Sequence, residues 1–319
     1  MIVSELSDLA SRLSLGPIHR FGRLAVVPLI DRTAKPSGWL TLDAALAGGE
    51  VAVTEVSESG SVPELCLLNR SSLPIFLLDG EELVGAKQNR ILNLSILVPA
   101  ASNFEGPVSC VEQGRWSWRS RGFQSAGRVI YSKLRRSNAE AVSQSLFATG
   151  SRRGDQGGVW DSIAAKSERM EVHSDTSAAS ALFETYHVEL DEFMAGIEVL
   201  PGQVGAAFLL DERFAGLDLL GGPDLLEQLL PKIVRSYALD ALDDDRPGQN
   251  DGSVTGQDDA ASSRAVSEAI EELSQIQASR HGALGLGEDI RLRSGRLIGA
   301  GIVADGAIAH LGLWAHDYH

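Results

Sequence analysis

Cysteine is almost missing from this sequence. Its 319 residues hold two, Cys66 and Cys110, too few for a disulfide framework and too isolated for a zinc site. Both read as reduced thiols packed in apolar strands. No stretch approaches the roughly 18 apolar residues of a membrane span, so no membrane partner is expected. The N-terminus has no basic start leading into a long apolar run, and Glu5 and Asp8 interrupt it. No signal peptide is predicted, and the cytoplasm is the expected compartment. Positive charge is in deficit: Lys and Arg total 28 against 43 Asp and Glu, a net charge of −15 at pH 7. Duplex DNA is bound by neutralising its phosphates, so it is an unsuitable partner for such a chain. Several catalytic signatures are also missing. Gly80–Gly85 is not followed by Gly-Lys-Ser/Thr, and the cluster Gly282, Gly285 and Gly287 lacks a strand-to-helix setting. Neither Gly-x-Ser-x-Gly nor His-Glu-x-x-His occurs, which weighs against the hydrolases and metalloproteases those motifs identify.

What remains is a chain that can build a core, with 44% hydrophobic and 22% charged residues. Its length suits about two domains of ~150 residues. A short helix is predicted over residues 4–13. Short apolar runs broken by Gly, Pro, Asn and Ser then predict strands at Leu24–Ile30, Val51–Val56, Leu65–Leu68, Ile75–Leu78, Ile91–Val98 and Val108–Val111. Asp79-Gly80 predicts a type I′ hairpin turn between Ile75–Leu78 and Glu81–Val84. After Gly122 the period changes. Helices are predicted over Arg128–Phe147, Trp160–Met170, Ala178–Ile197, Asp224–Leu242 and Ala260–Ala278. Hairpins are predicted around residues 211–213 and around Asp305-Gly306. The predicted fold is α+β: a β-rich sandwich or open barrel over residues 15–122, then a helical half with two β-hairpins over 123–319. Asp243–Asp259 carries six aspartates against one arginine and is expected to be a mobile acidic loop. Phe76-Leu77-Leu78-Asp79 recurs at residues 208–211, which two hairpins of similar need explain as well as a duplication does.

Three polar blocks interrupt this pattern. The first runs from Asp79 to Arg90. In a hairpin, alternation turns either Glu81 or Glu82 inward. A buried carboxylate needs a partner, and Lys87 and Arg90 are the nearest. Gln88, Asn89 and Asn93 add amides that can read a sugar or a base edge. The second block closes the last strand, with Cys110 and Glu112 on one side. Glu112 is a candidate general base, or a ligand beside Glu81 or Glu82 for a hard divalent cation such as Mg²⁺. Cys110 has no histidine placed near it and reads as a packed thiol. The third is a basic stripe: Arg115, Arg119, Arg121, Arg128, Lys133, Arg135 and Arg136, with no acid among them. In an extended Arg115–Arg119 the indoles of Trp116 and Trp118 face one way and the arginines the other, free to fork onto phosphate. Arg152 and Arg153 add to it in a Gly-rich loop. The bland alternative is that the stripe docks on the acidic second half of the chain.

"LLDGEELVGAKQNRILNLSILVPA" (77–100) followed by "VSCVEQGRW" (108–116) resembles an uncharacterised prokaryotic domain family named for its association with ADP-ribosylglycohydrolases and rhodanese-phosphatases. "RRGDQGGVWDSI" (152–163) and "PKIVRSYALDAL" (231–242) are similar to its later segments, and the resemblance runs from Leu15 to His316. It implies genomic company with ADP-ribose and nucleotide or RNA-repair chemistry. By motif it implies functional positions at Glu81, Glu82, Lys87, Gln88, Asn89, Arg90, Glu112, Gln113, Arg115 and Trp116.

The expectation is a cleft that binds, with or without processing, a phosphorylated ligand: ADP-ribose, a nucleotide or an RNA end. Glu81, Glu82 and Glu112 are its candidate catalytic residues. Lys87, Gln88, Asn89, Arg90, Gln113, Arg115, Trp116 and Arg119 are its candidate ligand contacts. The rival is a non-catalytic scaffold or homo-oligomer whose polar blocks are structural.

Overall fold

The structure, a computed structural model, describes residues 2–56, 63–243 and 258–316. In chain order the elements begin with α1 (Ile2–Arg12), β1 (Ser14–Leu15), β2 (His19–Phe21), β3 (Leu24–Ile30), β4 (Leu40–Thr41), α2 (Leu42–Ala47), β5 (Val51–Glu55) and β6 (Glu64–Asn69). Then come β7 (Ile75–Leu77), β8 (Glu81–Gly85), β9 (Arg90–Leu92), β10 (Ile96–Val98), β11 (Ser102–Cys110) and β12 (Phe123–Val129). The middle of the chain is α3 (Ser132–Thr149), α4 (Gln156–Arg169), α5 (Ser180–Thr185), α6 (His187–Met194), β13 (Gln203–Leu210) and β14 (Arg213–Leu220). It ends with α7 (Pro223–Asp243), α8 (Asp259–Glu272), β15 (Gln277–Gly282), β16 (Glu288–Arg293), β17 (Leu297–Ala304) and β18 (Ala307–Ala315). The fold is mixed α+β, as the patterning predicts. No helix among the described residues is long and apolar enough to cross a membrane. The acidic segment expected to be mobile, between Asp243 and Asp258, lies outside the described residues.

The chain divides into two compact units: residues 1–37, 188–281 and 288–319 form one, and residues 38–187 with 282–287 form the other. This division differs from a cut at Gly122. β3 precedes that cut, yet its whole length pairs with β13, from Leu24↔Leu210 to Ile30↔Gln203.

The first unit is built on a nine-stranded sheet of order β1-β3-β13-β14-β18-β17-β16-β15, with β2 also paired to β3. Leu6 and Leu9 of α1 and Val266, Ala269 and Ile270 of α8 join Val27, Ala207, Leu209, Leu217 and Leu311 in one apolar cluster. Phe208, between Ala207 and Leu209, points to the other face, where its ring stacks on Tyr237 of α7 at 3.8 Å between centroids. Helices on both faces explain why every residue of β13 is buried. The turns of its hairpins carry two consecutive positive φ angles, 48° and 62° at Asp211 and Glu212, 52° and 76° at Asp305 and Gly306. That is the type I′ geometry suited to strand twist.

The second unit holds a six-stranded sheet, β12-β8-β9-β11-β6-β5, and a three-stranded one, β10-β7-β4. The larger sheet curls into a half-barrel whose edge strands β5 and β12 come back into contact. Val51, Val53, Leu65, Leu67, Leu83, Leu92, Phe104 and Phe123 fill it. Here Asp79-Gly80 departs from expectation. Gly80 alone has a positive φ, 77°, while Asp79 does not, so with Glu81 N donating to Leu78 O at 3.2 Å the turn is of type II. Type II turns splay the strands they join. Accordingly β7 pairs with β10 and β4, while β8 pairs with β9 and β12, and no hairpin forms. Residues Arg128–Val129 close β12 rather than opening a helix, and the predicted helix Ala178–Ile197 is broken into α5 and α6.

Candidate functional site

The polar blocks of the sequence gather in the second unit, and register sets their positions. On β9 Arg90 lies opposite Leu83 on one side and Cys110 on the other, so all three side chains share the inner face of the half-barrel. On β5 Glu55 continues the alternation Val51, Val53 and points the same way. Arg90 is fully buried, with Nη1 on the Cys110 sulfur and Nη2 3.4 Å from Glu55 Oε1. Burial pushes the Cys110 thiol up to about 11, with Arg90 lowering it and Glu55 raising it. Both cysteines are free, Cys110 buried and Cys66 half-buried, and Cys110 is a packed thiol.

Both glutamates of the first block are buried, at 1% and 0% exposure, where alternation alone turns one inward. Glu81 Oε2 accepts from Leu78 N at 2.9 Å. Glu82 accepts from Arg128 Nε at 2.6 Å and Asn89 Nδ2 at 3.3 Å. Glu112 accepts from Arg115 Nε at 2.8 Å, Asn89 N at 3.2 Å and Thr176 Oγ1 at 3.0 Å. Gln88 Nε2 donates to the Glu112 carbonyl at 3.0 Å. Burial pushes the Glu112 carboxyl up, but the hydrogen bonds from Arg115, Asn89 and Thr176 outweigh it and hold it below its usual range. It is therefore ionised near neutrality and held by donors.

Three members of the basic stripe are spent on these acids: Arg115 on Glu112, Arg128 on Glu82 and Arg135 on Asp79. The stripe thus pairs with acids of the first two polar blocks, within its own unit. A divalent cation at Glu82 or Glu112 would have to displace a guanidinium. Among the described residues, no cluster of three metal-binding side chains includes Glu81, Glu82 or Glu112.

The Arg115–Arg119 segment reverses the expected arrangement. It is irregular rather than a strand. Arg115 is turned inward, its Nη1 donating to Ala86 O at 2.8 Å, and the indoles are the exposed groups, Trp116 at 52% and Trp118 at 51%. Lys87, itself buried, places its ammonium 5.2 Å from the Trp116 ring and 5.1 Å from the Trp118 ring. These are cation–π contacts that fix both indoles from one side. Gln113 is exposed.

Beyond Trp118 the chain lines an open groove of about 1000 Å³, bounded by Thr54, Glu55, Trp118, Arg119, Ser120 and Arg121. It lies between the end of β5 and the segment that leads into β12. Ser120 pins its wall, accepting from Ala86 N at 3.0 Å and donating to Gly122 O at 2.6 Å. Arg119 and Arg121 are exposed, and no side-chain hydrogen bond or ion pair engages either guanidinium among the described residues. The expected ligand contacts therefore separate. Arg119 faces open space, whereas Gln88, Asn89, Arg90 and Arg115 are absorbed in the buried network.

A family model described as the ARG and Rhodanese-Phosphatase-superfamily-associated Protein domain, ARPP-1, matches residues 12–314. The chain belongs to this family. No curated protein and no solved structure matches it. The matched span of the ARPP-1 domain covers both compact units, and with them every polar block.

Sequence reasoning missed several partners in this ARPP-1 domain. Arg128 and Arg135 were visible only as charge, Thr176 lies 64 residues from Glu112, and Gln156 makes a two-way bond with the Cys110 backbone, accepting from its N at 2.7 Å and donating to its O at 2.9 Å. The Gly-rich loop before α4 is thereby laid on the end of β11. Glu55 carried a signal: it is the acid in an alternation whose other inward members are valines.

Proposed function

We propose that the groove at Trp118–Arg121 binds the phosphate-bearing part of a nucleotide-like ligand, such as ADP-ribose, a nucleotide or an RNA end, in the cytoplasm. On this reading the Glu81, Glu82 and Glu112 network beneath it is framework rather than chemistry. The observation that carries the reading is that two guanidiniums unpartnered among the described residues, Arg119 and Arg121, line one groove with the half-exposed indole of Trp118 in an acidic chain. An unpaired Arg fork is suited to phosphate oxygens, and a supported indole offers a stacking face for a base, worth roughly 1–3 kcal/mol. A chain of net charge −15 with so local a positive site suits a small phosphorylated ligand or a strand end better than a duplex.

Calorimetric titration with ADP, ADP-ribose and a 5′-phosphorylated oligoribonucleotide tests this. Arg119→Ala and Arg121→Ala should each weaken binding about tenfold, as loss of a charge-assisted hydrogen bond of ~1.5–3 kcal/mol requires, with unfolding midpoints unchanged. Absence of binding by the wild type would reject the reading. A second reading, a non-catalytic scaffold or homo-oligomer, draws on the internal pairing of Glu82, Glu112 and Asp79 with arginines. It expects no binding and a mass in solution above that of one chain.

A further inference from the structure

Resting on that reading, the groove holds one group whose surroundings are incomplete. The Glu55 side chain is 2% exposed. Buried carboxylates take all the donors within reach, because each unmet oxygen forfeits its hydration. Glu112 and Glu82 obey this, with donors on both oxygens. Glu55 does not. Its one contact is the 3.4 Å approach of Arg90 Nη2 to Oε1, and Oε2 accepts from nothing among the described residues. Arg90 Nε is likewise without a hydrogen-bond partner among the described residues. Of this loosely made pair Glu55 lines the groove together with Arg119 and Arg121, and Arg90 is fully buried behind it.

We propose that Glu55 receives a ribose hydroxyl, so that the ligand class is a phosphorylated riboside. Phosphate oxygens are acceptors only, so they belong with Arg119 and Arg121. What meets Glu55 must donate. In a nucleotide whose base stacks on Trp118 and whose phosphates reach the arginines, the sugar lies between them, and its 2′ and 3′ hydroxyls are its donors. An O–H donated to an ionised acceptor is among the stronger hydrogen bonds. Arg90, fixed by its place on β9 between Leu83 and Cys110, holds the carboxylate against the wall. Glu55 is then a specificity residue, separating ribosides from bare phosphates and from sugars that lack the hydroxyls.

The test compares ADP, 2′,3′-dideoxy-ADP and inorganic pyrophosphate by calorimetry on the full chain, for the wild type, Glu55→Gln and Arg119→Ala. The wild type should bind ADP about tenfold more tightly than the dideoxy compound, as one charge-assisted hydrogen bond implies. Glu55→Gln should bind the two alike, with pyrophosphate affinity undiminished. Arg119→Ala should weaken all three ligands in common. If the wild type binds ADP and dideoxy-ADP equally while Arg119→Ala still weakens both, the role of Glu55 is refuted and the groove reading stands. If neither ADP nor pyrophosphate binds, both fall. Should Glu55→Gln fail to fold, Glu55→Asp, with its carboxylate drawn back by one methylene, takes its place: ADP and the dideoxy compound should then differ less than in the wild type, and an undiminished difference refutes the role of Glu55.

Discussion

Arg115 lays its guanidinium along the Glu112 carboxylate, with Nε at 2.8 Å and Nη2 at 2.6 Å from Oε2, and spends its other donors on main-chain carbonyls and one side-chain amide. Nη1 reaches Ala86 O and Ser117 O, and Nη2 reaches Gly85 O and the Asn89 side chain. No donor of this arginine is left for a ligand. Arg115→Ala should therefore cost roughly 3–5 kcal/mol of stability, the penalty for stranding a buried charge, and urea unfolding is the measurement. Loss of nucleotide binding at an unchanged midpoint would instead place the ligand on Arg115.

Glu112 gives this pair a pH dependence with a definite sign. Its carboxyl is held low in the folded protein, burial being outweighed by donors from Arg115, Asn89 and Thr176. The unfolded chain keeps an ordinary value near ~4.3. The contribution is thus fully present above that value and lost as pH falls through the lower folded one. Glu112→Gln should lower stability at pH 7 and flatten the fall in midpoint below about pH 4. An acid limb of unchanged slope in that variant would show that other carboxylates carry it.

The two thiols should differ in reactivity. Cys110 is buried, and its thiol is pushed up to about 11, so at pH 8 little thiolate exists and access is closed. Cys66 is half-buried, with its sulfur against Asn103 Oδ1 at 2.9 Å. Alkylation followed by peptide mass spectrometry should find Cys66 modified in the native protein and Cys110 only after denaturation. Native labelling of Cys110 ahead of Cys66 would contradict the packed-thiol assignment.

Gly85 ends β8 with φ at 131°, and a Cβ there would lie 2.6 Å from the Gly122 carbonyl and the Ser120 hydroxyl. Both contacts belong to the segment that walls the groove. Gly85→Ala should cost about 1–3 kcal/mol through backbone strain and also disturb ligand binding, because Ser120 must move. A variant with wild-type midpoint and affinity would mean the wall is more yielding than its packing implies.

Much of this was legible in the sequence, and the failures have local physical reasons. Leu24–Ile30 is a strand over its whole predicted length, and the patterns of β13, β14, β17, β18 and α7 gave those elements to within a few residues. These segments have a clear period and punctuated ends. Ile91–Val98 reads as one apolar run, yet it is two strands of different sheets, β9 and β10, because the intervening Asn93 and Ser95 turn to buried partners on Ser109 and Asp79. Asp79-Gly80 carries a hairpin dipeptide, but the separate pairings of β7 and β8 with distant strands decide the sign of φ at Asp79. At the site, the acids were found and their partners were not: Arg128, Arg135 and Thr176 come from elements whose approach only the topology fixes. Arg115, expected to be free for phosphate, is instead turned inward, because it has an internal acid, Glu112, three residues away.

The nesting of the two units has a consequence for synthesis of the chain. β3, an apolar strand, finds its long partner β13 only after more than 170 residues of intervening sequence, which include the entire contiguous body of the other unit. At a translation rate of about 5–20 residues per second, its hydrogen-bonding edge waits roughly ten to thirty seconds on the ribosome for that partner. Pro28 sits in the middle of this strand, opposite Ala206 in the finished sheet, and has no N–H to offer a neighbouring chain. A proline at that point makes the waiting strand a poorer template for illicit pairing.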